Sequence, residues 1–142
     1  MKQKNIIPKL IELAKKSKFR SRHACMIFTE DGEELARSYN LNMKSDFVDK
    51  FNPIKTLHAE ALAVLKCRNR IKKLRGSTMY VIRLSRISDS LVNSKPCPMC
   101  QRIIKCFGIK KVFYIDGYPD NLSLELVNES GVVLEKIEMT FL

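Results

Sequence analysis

The chain has 142 residues, 26 Lys and Arg against 15 Asp and Glu, and a 45% apolar content. That length suits one domain around one core, and periodic apolar runs beside a 29% charged fraction argue against global disorder. No apolar run approaches the roughly 20 residues that cross a bilayer. The basic start, Met1 to Pro8, lacks the apolar stretch and small-residue cleavage site of a signal peptide. The expectation is a single domain over 1–142, off the membrane, in a reducing cytoplasm or nucleus. Five cysteines, an odd number at uneven spacing, make a disulfide framework a poor explanation.

In chain order, residues 8–17 read as an amphipathic helix with Pro8 near its first turn. Residues 24–29 read as a buried strand, and Asp31-Gly32 as a hairpin turn into a second strand at 34–40. Residues 41–56 read as a long loop, and a helix is predicted from Leu57 to about residue 70. Gly76 breaks the chain before a third strand at 78–84. Residues 85–95 read as polar loop. Pro96 is expected to open a helix that Gly108 ends. A fourth strand is predicted at 110–115 and a fifth at 132–139. For 120–128 two readings compete: a helix, favoured by Leu and Glu propensities, or a strand, suggested by the alternation of Leu122, Leu124 and Leu126. The helix would place strands four and five parallel through a crossover. Alternating helices and strands predict a layered α/β sandwich around a mixed sheet.

Charge is polarised. Residues 1–111 hold 25 Lys and Arg against 9 acids, net +16, and residues 112–142 one Lys against 6, net −5. A basic body suits a polyanionic partner; a Lys-rich solvated surface explains it equally well.

The chemistry concentrates in two short motifs, His58-Ala59-Glu60 and Pro96-Cys97-Pro98-Met99-Cys100. Cys97 and Cys100, three apart at a helix start, are expected to face one side as half of a zinc site. A helix N-terminus favours the thiolates a metal needs. His58 supplies a third ligand, leaving the fourth tetrahedral position for water, as in a catalytic zinc site. Glu60, two residues on, is placed to move protons without ligating. A closed structural site would need a fourth ligand from His23, Cys67 or Cys106 and would leave Glu60 without a purpose. Cys25, Cys67 and Cys106 read as buried small apolar residues. His23 reads as surface or substrate edge.

The pairing H-x-E…P-C-x-x-C marks the zinc nucleobase deaminases. With the surrounding strand and helix order, the chain resembles the cytidine deaminase-like superfamily over most of its length. The resemblance implies a three-layer α/β/α sandwich with a five-stranded mixed sheet and one Zn2+ per chain held by His58, Cys97 and Cys100. It implies hydrolytic deamination with Glu60 as proton shuttle, substrate contacts from Asn40 and the Ala59 backbone, and a possible homodimer. One departure is the 85–95 segment, which puts 35 residues between Glu60 and Pro96.

For the substrate, the sequence favours cytosine in single-stranded DNA or RNA. Six cations and no acid fall within residues 66–75, and Arg20, Arg22, Lys72 and Lys73 are candidate phosphate contacts. Tyr118, after the fourth strand and near Phe113 and Tyr114, is a candidate for contacting flanking bases. Alternatives are a deoxycytidylate or cytidine deaminase of nucleotide metabolism, a tRNA adenosine deaminase, and a non-catalytic zinc module that binds nucleic acid. A deaminase of a pterin or antibiotic base is a further alternative.

Overall fold

Asp31-Gly32 does turn the chain: Gly32 sits at φ +93° and its amide donates to the Thr29 carbonyl at 2.9 Å. The turn joins β1 (Arg22–Phe28) to β2 (Glu34–Tyr39), which pair antiparallel. This computed structural model describes residues 3–19, 21–42, 56–115, 126–129 and 132–136. Side chains alternate along β1. Ala24, Met26 and Phe28 join one apolar cluster, and Cys25 and Ile27 join the other. The central strand β5 (Thr78–Leu84) divides in the same way, with Tyr80, Ile82 and Leu84 opposite Met79 and Val81.

Both faces of the sheet are therefore apolar and both are covered. Helix α1 (Gln3–Ala14) lays Ile6, Ile7, Leu10, Leu13 and Ala14 on one. The other is covered by α2 (Ala59–Lys66), the short α3 (Ile71–Leu74) and α4 (Pro98–Cys106). The result is the expected α/β/α sandwich. Two-residue strands β3 (Leu41–Asn42) and β4 (Thr56–Leu57) pair with each other. The rest of the predicted 41–56 loop lies outside the described residues.

The main sheet takes the order β2-β1-β5-β7-β9-β8, with β7 at Lys111–Tyr114, β8 at Leu126–Glu129 and β9 at Val132–Lys136. The five expected strands are all present. Short β8 extends one edge and β6 (Leu91–Val92) pairs with the end of β5. β5, β7 and β9 are parallel and the β1 pairings antiparallel, so the sheet is mixed. The parallel β7–β9 pair is the orientation that a helix at 120–128 was expected to bring. Yet residues 126–128 are strand, paired antiparallel with β9; of the three only Leu126 is a good helix former, and Val127 prefers strand. Residues 120–125 lie outside the described residues.

Three boundaries moved. Helix α1 starts five residues earlier than the predicted Pro8. Ile6 and Ile7 are 1% and 0% exposed, and burying both stabilises the helix by more than one missing amide bond near its start costs. The helix predicted to residue 70 ends at Lys66 and tightens into a 3-10 turn at Arg68–Arg70. That turn brings Leu74 into the core and the Arg70 guanidinium to the Leu35 carbonyl. The 85–95 loop contains β6, so it is partly part of the sheet. Among the described residues, no helix is long and apolar enough to cross a membrane.

Candidate active site

The second residue of β1, the residue that follows β2 and the N-termini of α2 and α4 meet at one end of the sheet. There they enclose a cavity of about 460 Å³ whose wall includes His23, Asn40, His58, Glu60 and Cys97.

His58 and Cys97 are the N-cap residues of α2 and α4, both with extended backbone. Cys97 was expected inside its helix. Instead, Pro98 rather than Pro96 occupies the first turn, and the Cys97 sulfur accepts the amide of Cys100 at 3.5 Å. Capping still turns both sulfurs to one side. His58 Nδ1 lies 3.6 Å from Cys97 Sγ and 3.5 Å from Cys100 Sγ, and all three donor atoms fall within 4.8 Å of one another. A tetrahedral zinc, with bonds of about 2.3 Å to sulfur and about 2.0–2.1 Å to nitrogen, sets a nitrogen–sulfur separation of about 3.6 Å. The trio therefore fits one zinc ion, which Nδ1 of His58 and the two cysteine sulfurs would hold. Neither His23, Cys67 nor Cys106 joins the group. Cys25 and Cys67 are buried core residues, as expected. Cys106 is exposed, contrary to expectation: six residues after buried Cys100, it falls about 240° round the helix.

Glu60, on the first turn of α2, is 4% exposed. Burial raises its carboxyl pKa, partly opposed by a backbone hydrogen bond, His58 and a hydrogen bond with Cys100. Burial, then the Glu60 charge and Cys97, push the Cys100 thiol well above its ordinary range. Ala59, in the first turn of α2, is fully buried and its carbonyl accepts the Ser38 hydroxyl.

Asn40 lines the cavity but is also a strut. Its Oδ1 accepts the His23 amide at 3.0 Å, and its Nδ2 donates to the Ser21 carbonyl at 2.7 Å. His23, only loosely placed by sequence, lies in the cavity wall. Burial lowers its pKa to about 4, with smaller contributions from Arg83 and His58 and an opposing backbone bond at Ser21. The unfolded chain takes up a proton below its ordinary value of 6.5, which the folded state resists down to about 4. Stability is therefore intact above that ordinary value and falls as pH drops toward 4, by up to about 3 kcal/mol. His23→Gln should flatten this acid limb in urea titrations at pH 7 and pH 5. An unchanged limb would show that other groups cause it.

The candidate phosphate contacts are differently placed. The Arg22 guanidinium donates to the carbonyls of Ser85 and Ser88 at 2.8 Å and pairs with Asp89 at 3.1 Å. It anchors the 85–95 segment instead of facing the cavity. Lys73 pairs with Glu33 at 3.7 Å, and Arg70 reaches Leu35, so the basic run lies by the β1–β2 turn. Lys72 is exposed in the same short helix. That end of α2 is roughly 12 Å from His58 along the helix. Phe113 and Tyr114 are core residues, with Phe113 stacked on Tyr80. Arg20 and Tyr118 lie outside the described residues. Sequence reasoning missed two cations in the cavity wall, Arg83 and Lys95. Their signals were a charge inside the apolar strand Thr78–Leu84 and a lysine directly before Pro96-Cys97.

The family described as "Cytidine and deoxycytidylate deaminase zinc-binding region" matches residues 1–116. ComE operon protein 2 of Bacillus subtilis (strain 168) is 30% identical over 86 residues, which are 60% of this chain and 40% of that protein. The match thus spans less than half of that relative's length. The dCMP deaminase of cyanophage S-TIM5, solved in apo form, superposes with a TM-score of 0.58 at 22% identity. The overlap covers 82% of this chain and 86% of that one. The same phage enzyme in complex with dCMP and dUMP gives 0.54 at 21% identity, over 83% and 85% of the two chains. A cytidine deaminase from Burkholderia pseudomallei gives 0.58 at 14% identity, over 82% and 86%. These structural likenesses share the fold.

Proposed function

The chain belongs to the cytidine and deoxycytidylate deaminase zinc-binding family, and from that premise we propose that it hydrolytically deaminates cytosine carried on a nucleotide. The observation that carries the reading is Glu60, a buried carboxyl with a raised pKa, in the same cavity wall as His58 and Cys97, two of the three clustered metal donors.

His58, Cys97 and Cys100 are the zinc ligands in this reading. Zinc bound there supplies Lewis acidity that brings the pKa of a water to about 7. Glu60 takes a proton from the attacking water and returns it to the base. Burial raises its pKa, which makes the carboxylate a stronger base for the proton it takes. Oxygen from water replaces the exocyclic nitrogen at C4, giving uracil and ammonia. The Ala59 amide and the free capacity of the Asn40 carboxamide orient the substrate. Asn40 also holds the backbone of Ser21 and His23 against the cavity.

Two carriers of the base suit this reaction. The phage relative crystallised with dCMP and dUMP supports a free nucleotide. The basic run at residues 66–75 supports a single strand of DNA or RNA, with the qualification that it lies at the far end of α2 from the cavity.

The test is a deamination assay with zinc-loaded protein, read by mass spectrometry. The panel holds cytidine, CMP, dCMP, cytosine-containing single-stranded DNA and RNA, and an adenosine-containing tRNA stem-loop. Conversion of C to U in a nucleotide or strand is expected. Conversion of adenine alone, or of none of the panel with zinc bound, would overturn the cytosine reading.

A further inference from the structure

Cations in the cavity wall distinguish two kinds of cytosine carrier. Arg83 and Lys95 both line the cavity that contains His58 and Glu60. Arg83 is the penultimate residue of β5, opposite His23 of β1 and Val92 of β6. Its Nε is buried and lacks a hydrogen-bond acceptor among the described residues. A buried guanidinium N–H without an acceptor is unfavourable, and such a group is satisfied when an anion arrives. Arg83 is thus a fixed positive charge with an unmet donor at a ligand cavity.

The neighbouring acids do not neutralise it. Asp89 pairs with Arg22 at 3.1 Å and lies 3.9 Å from Lys15. Glu60 lies in the same wall, but its surroundings are set by burial, His58 and Cys100. His23, across the strand pair from Arg83, has its pKa lowered to about 4 and is neutral at physiological pH.

The segment that delivers Lys95 is held firmly. Arg22 ties Ser85, Ser88 and Asp89, β6 pairs with β5, and the Ser94 hydroxyl donates to the Val81 carbonyl and accepts the Ile115 amide, both at 2.8 Å. Lys95 follows directly and precedes the Pro96-Cys97 cap. The insertion between β5 and α4 therefore brings a second cation to the same cavity.

Resting on the deaminase reading above, we propose that Arg83 and Lys95 form an anion subsite that takes the phosphate of a cytosine nucleoside monophosphate and so selects the free nucleotide over the nucleoside. Guanidinium and ammonium donors recognise a phosphate monoester through charge-assisted hydrogen bonds. A cavity of about 460 Å³ lies in the size range of small-ligand sites. A phosphodiester strand would draw on cations outside the cavity, and the dense basic run lies elsewhere, by the β1–β2 turn.

The test uses the full zinc-loaded chain with dCMP and deoxycytidine, comparing wild type, Arg83→Gln, Arg83→Lys and Lys95→Gln. Lys95 is exposed, so its variant should fold whatever happens at Arg83. Wild type is expected to prefer dCMP by roughly 100-fold in kcat/KM, with the preference residing in KM. Arg83→Gln and Lys95→Gln should each cut that preference by roughly 10-fold or more, and Arg83→Lys should restore part of it. Equal losses for both substrates, or no wild-type preference, would overturn the subsite. So would conversion of oligonucleotides with no response to either Gln variant. Calorimetric titration with dUMP separates the two proposals. If wild type binds dUMP without deaminating any cytosine substrate, and the Gln variants lose that binding, the subsite stands and the deaminase reading falls. Deamination without dUMP binding sinks the subsite alone.

Discussion

Glu60→Gln should lower turnover by at least about 10²–10⁴-fold while leaving the fold and the zinc content unchanged. The amide matches the carboxyl in size and keeps its place at 4% exposure, but it does not exchange a proton near neutral pH. It also removes a carboxylate that burial disfavours, so thermal stability should hold or rise. Metal analysis should still find about one zinc per chain, because His58, Cys97 and Cys100 remain. In the wild type, activity should fall as pH drops through the raised Glu60 pKa, since the base form is consumed by protonation. The residual activity of Glu60→Gln should lack that limb. A variant that keeps turnover within about tenfold of wild type would remove Glu60 from the proton path.

The parts legible in the sequence were those in which chemistry restricts residue identity. A zinc centre accepts few side chains, so His58, Cys97 and Cys100 stood out, and their donor atoms do converge. The strands of the core were equally plain, because β1 and β5 must bury both faces and therefore read as continuous apolar runs with two-residue alternation. What failed was local punctuation overruled by distant packing. Pro8 signals a helix start, but Ile6 and Ile7 have a sheet to bury against and extend α1 past it. Leu126 ends a stretch whose Leu and Glu content favours helix, yet Leu126 to Asn128 are strand with β9 alongside. Arg22 looked like a phosphate contact because its partners, Ser85, Ser88 and Asp89, are over 60 residues away in sequence. Arg83 and Lys95 were missed for the converse reason. Neither carries a motif, and only the β1–β5 register and the fold of the 85–95 segment bring them to the cavity that His58, Glu60 and Cys97 line.

Removing zinc should have an effect as large as losing Glu60, and it should leave a proton signature. Buried Cys100 has its thiol pushed far up by burial and then by Glu60, so without metal it holds its proton at neutral pH. Zinc uptake must expel that proton, and zinc affinity should weaken about tenfold per pH unit for each proton displaced as pH falls. Calorimetric titrations in two buffers of different ionisation enthalpy would count the protons, and a count near zero would contradict the burial argument. His58 caps α2, and Cys97 and Cys100 stand at the start of α4, so a metal held by the three would join two helix N-termini and brace the face of the sandwich that carries the cavity. With zinc a thousandfold above its Kd, linkage gives about 4 kcal/mol of stabilisation, or on the order of 10 °C in Tm for a domain of this size. Chelation should therefore lower Tm by that amount and abolish activity, and added zinc should restore both. Cys100→Ala should behave like the chelated wild type and gain nothing from added zinc. A Cys100→Ala protein that still bound one zinc and turned over substrate would show that the metal lies elsewhere.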